Sequence, residues 1–157
     1  MHDYWITSHW PTPHSKPGQS RHVFVKQHNR TLPKPGDVVF IRESIDAKDK
    51  HGRRVKKCDM HHRGQVTKGL DVRKGTGGII GTATVCGVRR KQEPDDVVFD
   101  FGDLREWYVV PCQNFEEASL SLKELKDVLG KNAVRSLNLW PMRNDKLGSK
   151  LMHALRK

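Results

Sequence analysis

Short runs of apolar and β-branched residues, separated by turn residues and by long polar stretches, occur over the first 110 residues of the chain. The run Val38–Ile41 is continuous and follows Pro35 and Gly36, which favour a turn, so it predicts a buried strand. Residues 22–25 fit either a short strand or a helical turn. Pro111 is expected to end the last strand or to mark an edge strand, because proline cannot donate to a sheet ladder. In chain order, the predicted strands are Tyr4–Thr7, Val38–Ile41, Gly77–Val88, Val97–Phe101 and Trp107–Val110.

Periodic apolar positions predict two helices in the last third of the chain. Ser121 and Glu124 have the spacing of a capping box, and Gly130 is expected to end the helix that Ser121 begins. A second helix is predicted over about 145–155, and residues 139–141 are predicted to be a loop that packs onto the sheet. Because most strands precede the helices, the sequence predicts an α+β fold with a small barrel-like sheet and helices packed on it.

Charge is the strongest feature of the composition. The chain has 157 residues, enough for a single domain over 1–157, and its 29 Lys or Arg against 18 Asp or Glu give a net charge of +11. Residues 48–74 hold ten Lys or Arg and three Asp, a formal +7. We therefore expect an exposed basic insertion at about 45–76, a loop or loose hairpin. Clustered cations release counterions from a phosphate backbone, so nucleic acid is the expected partner, and a solvated charged surface is the alternative.

Cysteine usage and hydropathy indicate the compartment. The three cysteines include no CxxC pair, which fits free thiols in a reducing environment. No apolar run reaches the length of a membrane span, and the N-terminus lacks the pattern of a secretory signal. A cytoplasmic protein with no membrane partner is the expectation.

Several motifs resemble those of the EVE domain family, which belongs with the YTH and ASCH domains to the PUA-like superfamily. The resemblance covers most of the chain except residues 45–76, but the passage before Gly36 lacks the family's tryptophan-rich segment. It implies a small curved β-barrel, mixed or antiparallel and flanked by helices, that recognises a modified base of DNA or RNA in an aromatic pocket. Some members are fused to nucleases, so a nuclease is a further expected partner. The motifs are Tyr4-Trp5-Ile6, Gly36-Asp37-Val38-Val39-Phe40, Gly78-Ile79-Ile80-Gly81-Thr82-Ala83, Ser121-Leu122-Lys123-Glu124-Leu125-Lys126 and Gly130-Lys131-Asn132.

A pocket for a flipped base needs aromatic rings for stacking and neutral groups for the base edge. Trp10, in polar company after the first strand, is the best candidate ring, whereas Trp107 is also explained by core packing. Glu43 could accept from a cytosine amino group or form a surface ion pair, and Asn138 could read a base edge or cap a turn. The base-pocket candidates are Ser8, His9, Trp10, Arg42, Glu43, Ser44, Trp107 and Asn138.

Phosphate contacts are expected from the basic insertion, since Lys and Arg neutralise phosphates without reading sequence. Not all of these side chains can touch one nucleic acid together. The phosphate-binding candidates are Arg53, Arg54, Lys56, Lys57, Arg63, Lys68, Arg73 and Lys74.

Two other functions stay open at this point: a general RNA-binding domain of the PUA type without modification specificity, and a metal-dependent nuclease. No P-loop or dinucleotide fingerprint is present, and Cys86 and Cys112 lack a nucleophile signature. We therefore expect no catalytic residue, no metal and no cofactor. The residues that a metal or nuclease site would use are His51, Cys58, His61, His62, Asp95, Asp96, Asp100 and Asp103.

Overall fold

A computed structural model describes residues 3–9, 11, 22–26, 32–49, 51–89, 93–94, 97–100, 107–130, 139–142 and 145–155. Strands make up most of the structure, and the two helices come late in the chain. The elements are β1 (Tyr4–His9), β2 (His22–Lys26), β3 (Val38–Glu43), β4 (Lys57–His62), β5 (Gln65–Asp71), β6 (Ile79–Val85), β7 (Val98–Asp100), β8 (Trp107–Leu120), α1 (Leu122–Leu129), β9 (Leu139–Met142) and α2 (Asp145–Leu155).

The larger sheet has six strands in the order β2-β8-β6-β3-β1-β9. β1 and β3 run parallel, and the other neighbours run antiparallel, so the sheet is mixed. The predicted α+β class is confirmed. Closure into a barrel is not, because β2 and β9 are the two edges of this sheet in the described part of the chain.

Alternating side chains divide the core between the two faces of this sheet. Trp5, Val39 and Ile41 belong to one cluster, while Ile6 and Phe40 belong to a second cluster that the helices complete. This is the period-two alternation of a strand that is buried on both faces. The second cluster also contains Ile79, Leu120, Leu125 and Leu151.

A buried carboxylate joins β1 to the start of β3. Asp37 is 2% exposed, and its side chain accepts hydrogen bonds from Trp5 Nε1 at 2.9 Å, Asp3 N at 2.9 Å and Lys34 N at 2.8 Å. Burial alone would raise the pKa of Asp37, but these three donors and the Lys34 charge hold it below its ordinary value. The Gly-Asp motif before β3 therefore has a structural role in this fold.

Both predicted helices are confirmed. Ser121 Oγ accepts from Glu124 N and the Glu124 side chain accepts from Ser121 N, which completes the capping box. Gly130 ends α1 at a φ of 89°, a conformation that glycine adopts without strain. The two helices have 8 and 11 residues, and no helix in the described part of the chain is long and apolar enough to cross a membrane.

The basic insertion is folded, so its prediction as a loop or loose hairpin is wrong in part. β4 and β5 form a hairpin whose register shifts between Cys58 and Met60, and β7 pairs with the other side of β4 to give a three-stranded sheet in the order β5-β4-β7. Its inner face has a small core of Ala47, Cys58 and Val72, against which Val55, Leu70 and Phe99 pack. These apolar residues are too far apart in sequence to produce a recognisable strand pattern.

Two proline positions also differ from the sequence-based expectation. β8 continues through Pro111 to Leu120, because Pro111 uses only its carbonyl here, accepting from Cys86 N at 2.8 Å. Residues 139–142 form the edge strand β9 although they include Pro141. A proline is tolerated at a position or edge where no ladder donor is needed.

Candidate functional site

The parallel pairing of β1 with β3 brings together most of the base-pocket candidates that the structure describes. Ser8 lies opposite Arg42 and His9 lies opposite Glu43 in the main-chain register, and Ser44 follows directly. These residues lie at the carboxyl ends of two neighbouring strands. We call this set, Ser8, His9, Arg42, Glu43 and Ser44, the β1–β3 edge.

Three other base-pocket candidates are not placed at this edge. Trp10 and Asn138 lie outside the described residues. The main chain of Trp107 pairs with Lys26 at the start of β8, whereas the end of β8, at Leu120, pairs with Ile79 beside Arg42. The register therefore places Trp107 at the opposite end of its strand from the β1–β3 edge.

Glu43 forms an ion pair, as one of its two sequence-based interpretations predicts, but the pair is not at the surface. The Glu43 side chain is only 4% exposed, and its two oxygens accept from both terminal nitrogens of Arg73, one of them at 2.9 Å. Glu43 Oε1 also accepts from Thr76 N at 3.2 Å. This carboxylate is therefore occupied by protein donors. The guanidinium of Arg73, which was expected to bind phosphate, donates to the Glu43 carboxylate instead.

A glycine-rich loop packs closely against the edge. Arg42 Nε donates to Gly77 O at 2.8 Å, and burial lowers the pKa of the Arg42 guanidinium. An arginine keeps its charge under such a shift. A Cβ built on Gly75 would lie 2.0 Å from Ser44 O, so only glycine permits this approach. The Gly75-Thr76-Gly77-Gly78 sequence was a signal for this contact, which the sequence analysis did not use.

Backbone hydrogen bonds bring the basic residues beside the edge. Val55 N donates to Ala47 O and Asp49 N donates to Arg53 O, both at 2.8 Å, so residues 47–49 pair with residues 53–55 as two arms. Gly75 N donates to Ile45 O at 2.7 Å and Val72 N to Lys56 O at 2.9 Å, so the chain after β5 runs beside both arms. We call the cations that these contacts collect the cationic junction: Arg53, Arg54, Lys56, Lys57 and Lys74.

Within the junction, some cations have carboxylate partners. Arg54 Nε lies 3.2 Å from Asp46, and Lys57 pairs with the exposed Asp71. Arg53, Lys56 and Lys74 are exposed, and the described residues show no ion pair for these three side chains. They are the cations best placed to neutralise phosphate.

The remaining two phosphate candidates lie further along the β4–β5 hairpin, and Arg63 is the more distant of the two from the junction. Arg63 is at the turn between β4 and β5 with a φ of 52°, and Lys68 is on the edge strand β5. Since β4 extends by about 3.3 Å per residue, Arg63 lies roughly 20 Å from the junction. A ligand that contacts both Arg63 and the cationic junction would have to extend along the length of β4.

The residues proposed for a metal site do not converge where the structure describes them. Cys58 packs in the inner core of the small sheet, whereas His61 lies beside Asp100 on the other face, with His61 Nε2 and Asp100 Oδ2 3.5 Å apart. Within the described ranges, no group of three or more His, Cys, Asp or Glu is placed to hold a metal ion. Asp95, Asp96 and Asp103 lie outside those ranges.

Thiol accessibility gives a prediction about the cysteines. Burial raises the pKa of Cys58 to about 11, aided by the nearby charges of Asp59 and Asp100, and burial raises the pKa of Cys112 to about 12. Cys86 is exposed. At pH 8 we expect a thiol reagent to label Cys86 at least about 100-fold faster than the other two, because the thiolate is the reacting form. Mass spectrometry of the labelled protein measures this, Cys86→Ser should abolish the fast phase, and fast labelling of Cys112 would contradict it.

A scan against protein-family models and searches of curated proteins and of solved structures found no match to this chain. The resemblance to the EVE domain therefore stays a prediction from the motifs. The geometry of the β1–β3 edge and the cationic junction has to carry any functional assignment.

Proposed function

We propose that this protein binds nucleic acid, with phosphates on the cationic junction and a base at the β1–β3 edge. The proposal rests on the observation that the β1–β3 edge and the cationic junction are adjacent. Ser44 ends the edge, Ile45 follows it, and the Ile45 carbonyl accepts from Gly75 beside Lys74. A ligand that contacts one set is therefore within reach of the other.

The two sets suit the two kinds of contact that nucleic-acid recognition uses. Exposed lysines and arginines supply affinity that is independent of sequence and falls with salt. Hydroxyl and imidazole groups and a fixed guanidinium can hydrogen-bond a base edge. The mixture of neutral polar residues with one anchored arginine at the edge fits base contact better than purely electrostatic binding.

Recognition of a modified base is the specific form of this proposal. It draws on the motifs shared with the EVE domain, and on a PUA-like barrel as the fold that would enclose the base. The mixed sheet, with its parallel β1–β3 pair, supports that assignment. Closure of this sheet into a barrel would need further strand pairing at its edge strands, β2 and β9. Trp10 is the residue proposed to stack on the base, because stacking recovers roughly 1–3 kcal/mol of the cost of extrusion.

A binding panel tests this proposal. Oligonucleotides with plain, methylated or hydroxymethylated cytosine, or methylated adenine, would be titrated as DNA and as RNA. Preference for one modified base supports the pocket, and loss of that preference in Trp10→Ala would assign the ring. Equal affinity for all would favour a general RNA-binding or DNA-binding module, and turnover of any oligonucleotide would favour the nuclease.

Neutralising the three exposed cations gives a prediction about salt dependence. We expect Arg53→Gln, Lys56→Gln and Lys74→Gln together to weaken binding by about tenfold or more near physiological salt. The slope of log affinity against log salt should fall in magnitude by about two, since each lost phosphate contact contributes about 0.7–0.9. Fluorescence anisotropy at several salt concentrations measures both quantities.

A matched triple variant controls for net charge in this experiment. Lys123, Lys126 and Lys150 are also exposed, but they lie on α1 and on α2, outside the junction. Their replacement by glutamine should change the slope far less. Equal effects of the two triple variants would show that binding depends on overall charge and not on the junction.

A further inference from the structure

The ion pair between the buried Glu43 and the half-buried Arg73 lies at the joint between the two sheets. Glu43 is the last residue of β3 in the larger sheet, and Arg73 follows β5, the edge strand of the smaller one. The main-chain N–H of Glu43 also donates to Gly78 O at 3.0 Å, so Glu43 binds the loop at three residues, Arg73, Thr76 and Gly78.

The chemistry of the Glu43–Arg73 pair indicates that it fixes the distance and orientation of the groups it joins. A buried ion pair is a poor source of stability, because desolvation offsets most of its attraction. A two-pronged contact between a guanidinium and a carboxylate does fix distance and orientation. Arg73 also cancels a carboxylate that would otherwise repel phosphates on the neighbouring cationic junction.

We propose that Glu43 and Arg73 are positioning residues, which set the spacing between the other four residues of the β1–β3 edge and the cationic junction without touching nucleic acid. This inference rests on the function proposed above. It removes Arg73 from the phosphate contacts and gives Glu43 a role in affinity that its negative charge alone would not suggest.

Two substitutions with the same change in charge separate positioning from electrostatics. Glu43→Gln and Asp71→Asn each add one unit of positive charge, but the Asp71 side chain is 86% exposed and pairs only at the surface with Lys57. Electrostatics predicts tighter binding of an oligonucleotide in both. Positioning predicts that Asp71→Asn binds slightly more tightly while Glu43→Gln binds at least about fivefold more weakly, a typical size for coupling between sites.

Arg73→Lys is the second variant. It keeps the positive charge at residue 73 but removes the two-pronged contact of the guanidinium with the Glu43 carboxylate. A lysine that contacts phosphate as a point charge should replace arginine with little loss of affinity. A positioning role predicts weaker binding with an unchanged salt slope, because no phosphate contact is lost. Unchanged affinity in Arg73→Lys, or tighter binding in Glu43→Gln, would overturn the proposal.

Hydrogen exchange on the protein alone tests the joint without a ligand. Glu43→Gln should speed exchange at the amides of Gly75 and Thr76, and should leave Leu125 N, which donates to Ser121 O in α1, unchanged. An unchanged exchange rate at the Thr76 amide would show that the Glu43 side chain does not hold the loop at this joint. Absence of any oligonucleotide binding by the unaltered protein would instead overturn the proposed function, so the two failures are distinguishable.

Discussion

Replacing Asp37 by asparagine should lower the free energy of unfolding by about 2–4 kcal/mol at pH 7. The three donors that face the carboxylate are Asp3 N, Lys34 N and the Trp5 indole, and each loses a charged acceptor. A hydrogen bond to a charged group contributes about 1.5–3 kcal/mol, and the asparagine oxygen recovers only part of this. Urea unfolding monitored by tryptophan fluorescence measures the difference.

The same substitution should also change the pH dependence of stability. The pKa of Asp37 is lower in the folded protein than its ordinary value of 3.8. The stabilisation is therefore fully present above that value and is lost as the pH falls through the lowered folded pKa. Unfolding curves of the two proteins should converge in acid. Asp71→Asn, at an exposed carboxylate, is the control, and a pH-independent gap between wild type and Asp37→Asn would contradict the account.

Gly78→Ala is the second large effect, with an expected loss of about 3 kcal/mol or more. A Cβ at this position would lie 1.9 Å from Leu120 O and 3.0 Å from the Leu120 carbonyl carbon, and backbone atoms cannot rotate away. Overpacking of a well-filled site typically costs about 1–3 kcal/mol, and here the end of β8 would have to shift. Because Gly78 O accepts from Glu43 N, the β1–β3 edge should be disturbed too.

Gly87→Ala is the matched control for this clash. A Cβ at Gly87 would meet nothing within 4 Å, and its φ lies outside the left-handed region. Its stability should be unchanged or slightly raised, since alanine restricts the unfolded chain. Thermal unfolding of the two variants compares them directly. Equal melting temperatures would mean that Gly78 does not pack against β8 as described.

The local features of the fold could be predicted from the sequence because neighbouring residues determine them. Ser121 and Glu124 complete a capping box within one turn, and Val38–Ile41 is apolar whatever it packs against. The small sheet could not be predicted in this way. Its longer strands β4 and β5 are mostly polar, and β5 is mostly exposed. Its core joins Ala47, Cys58 and Phe99 from three distant segments.

In the candidate site, too, some features could be predicted from neighbouring residues and others could not. Arg42 and Ser44 were predicted because they follow a buried apolar strand. Ser8 and His9 were predicted from the resemblance to the EVE domain, and the parallel register then placed the two pairs together. The pairing of Glu43 with Arg73 spans 30 residues and leaves no local signal. The Gly-Asp motif, part of the resemblance to a base-binding family, is explained by the contact between Asp37 and Trp5, so that motif alone does not predict binding.

The most direct test of the central claim is an amide NMR titration of the unaltered protein with a short single-stranded oligonucleotide that carries one methylated cytosine. The account predicts that the largest shifts fall on Ser8, His9, Arg42 and Ser44, together with the residues of the cationic junction. Shifts confined to α1 and α2, or no shifts at low salt, would contradict it.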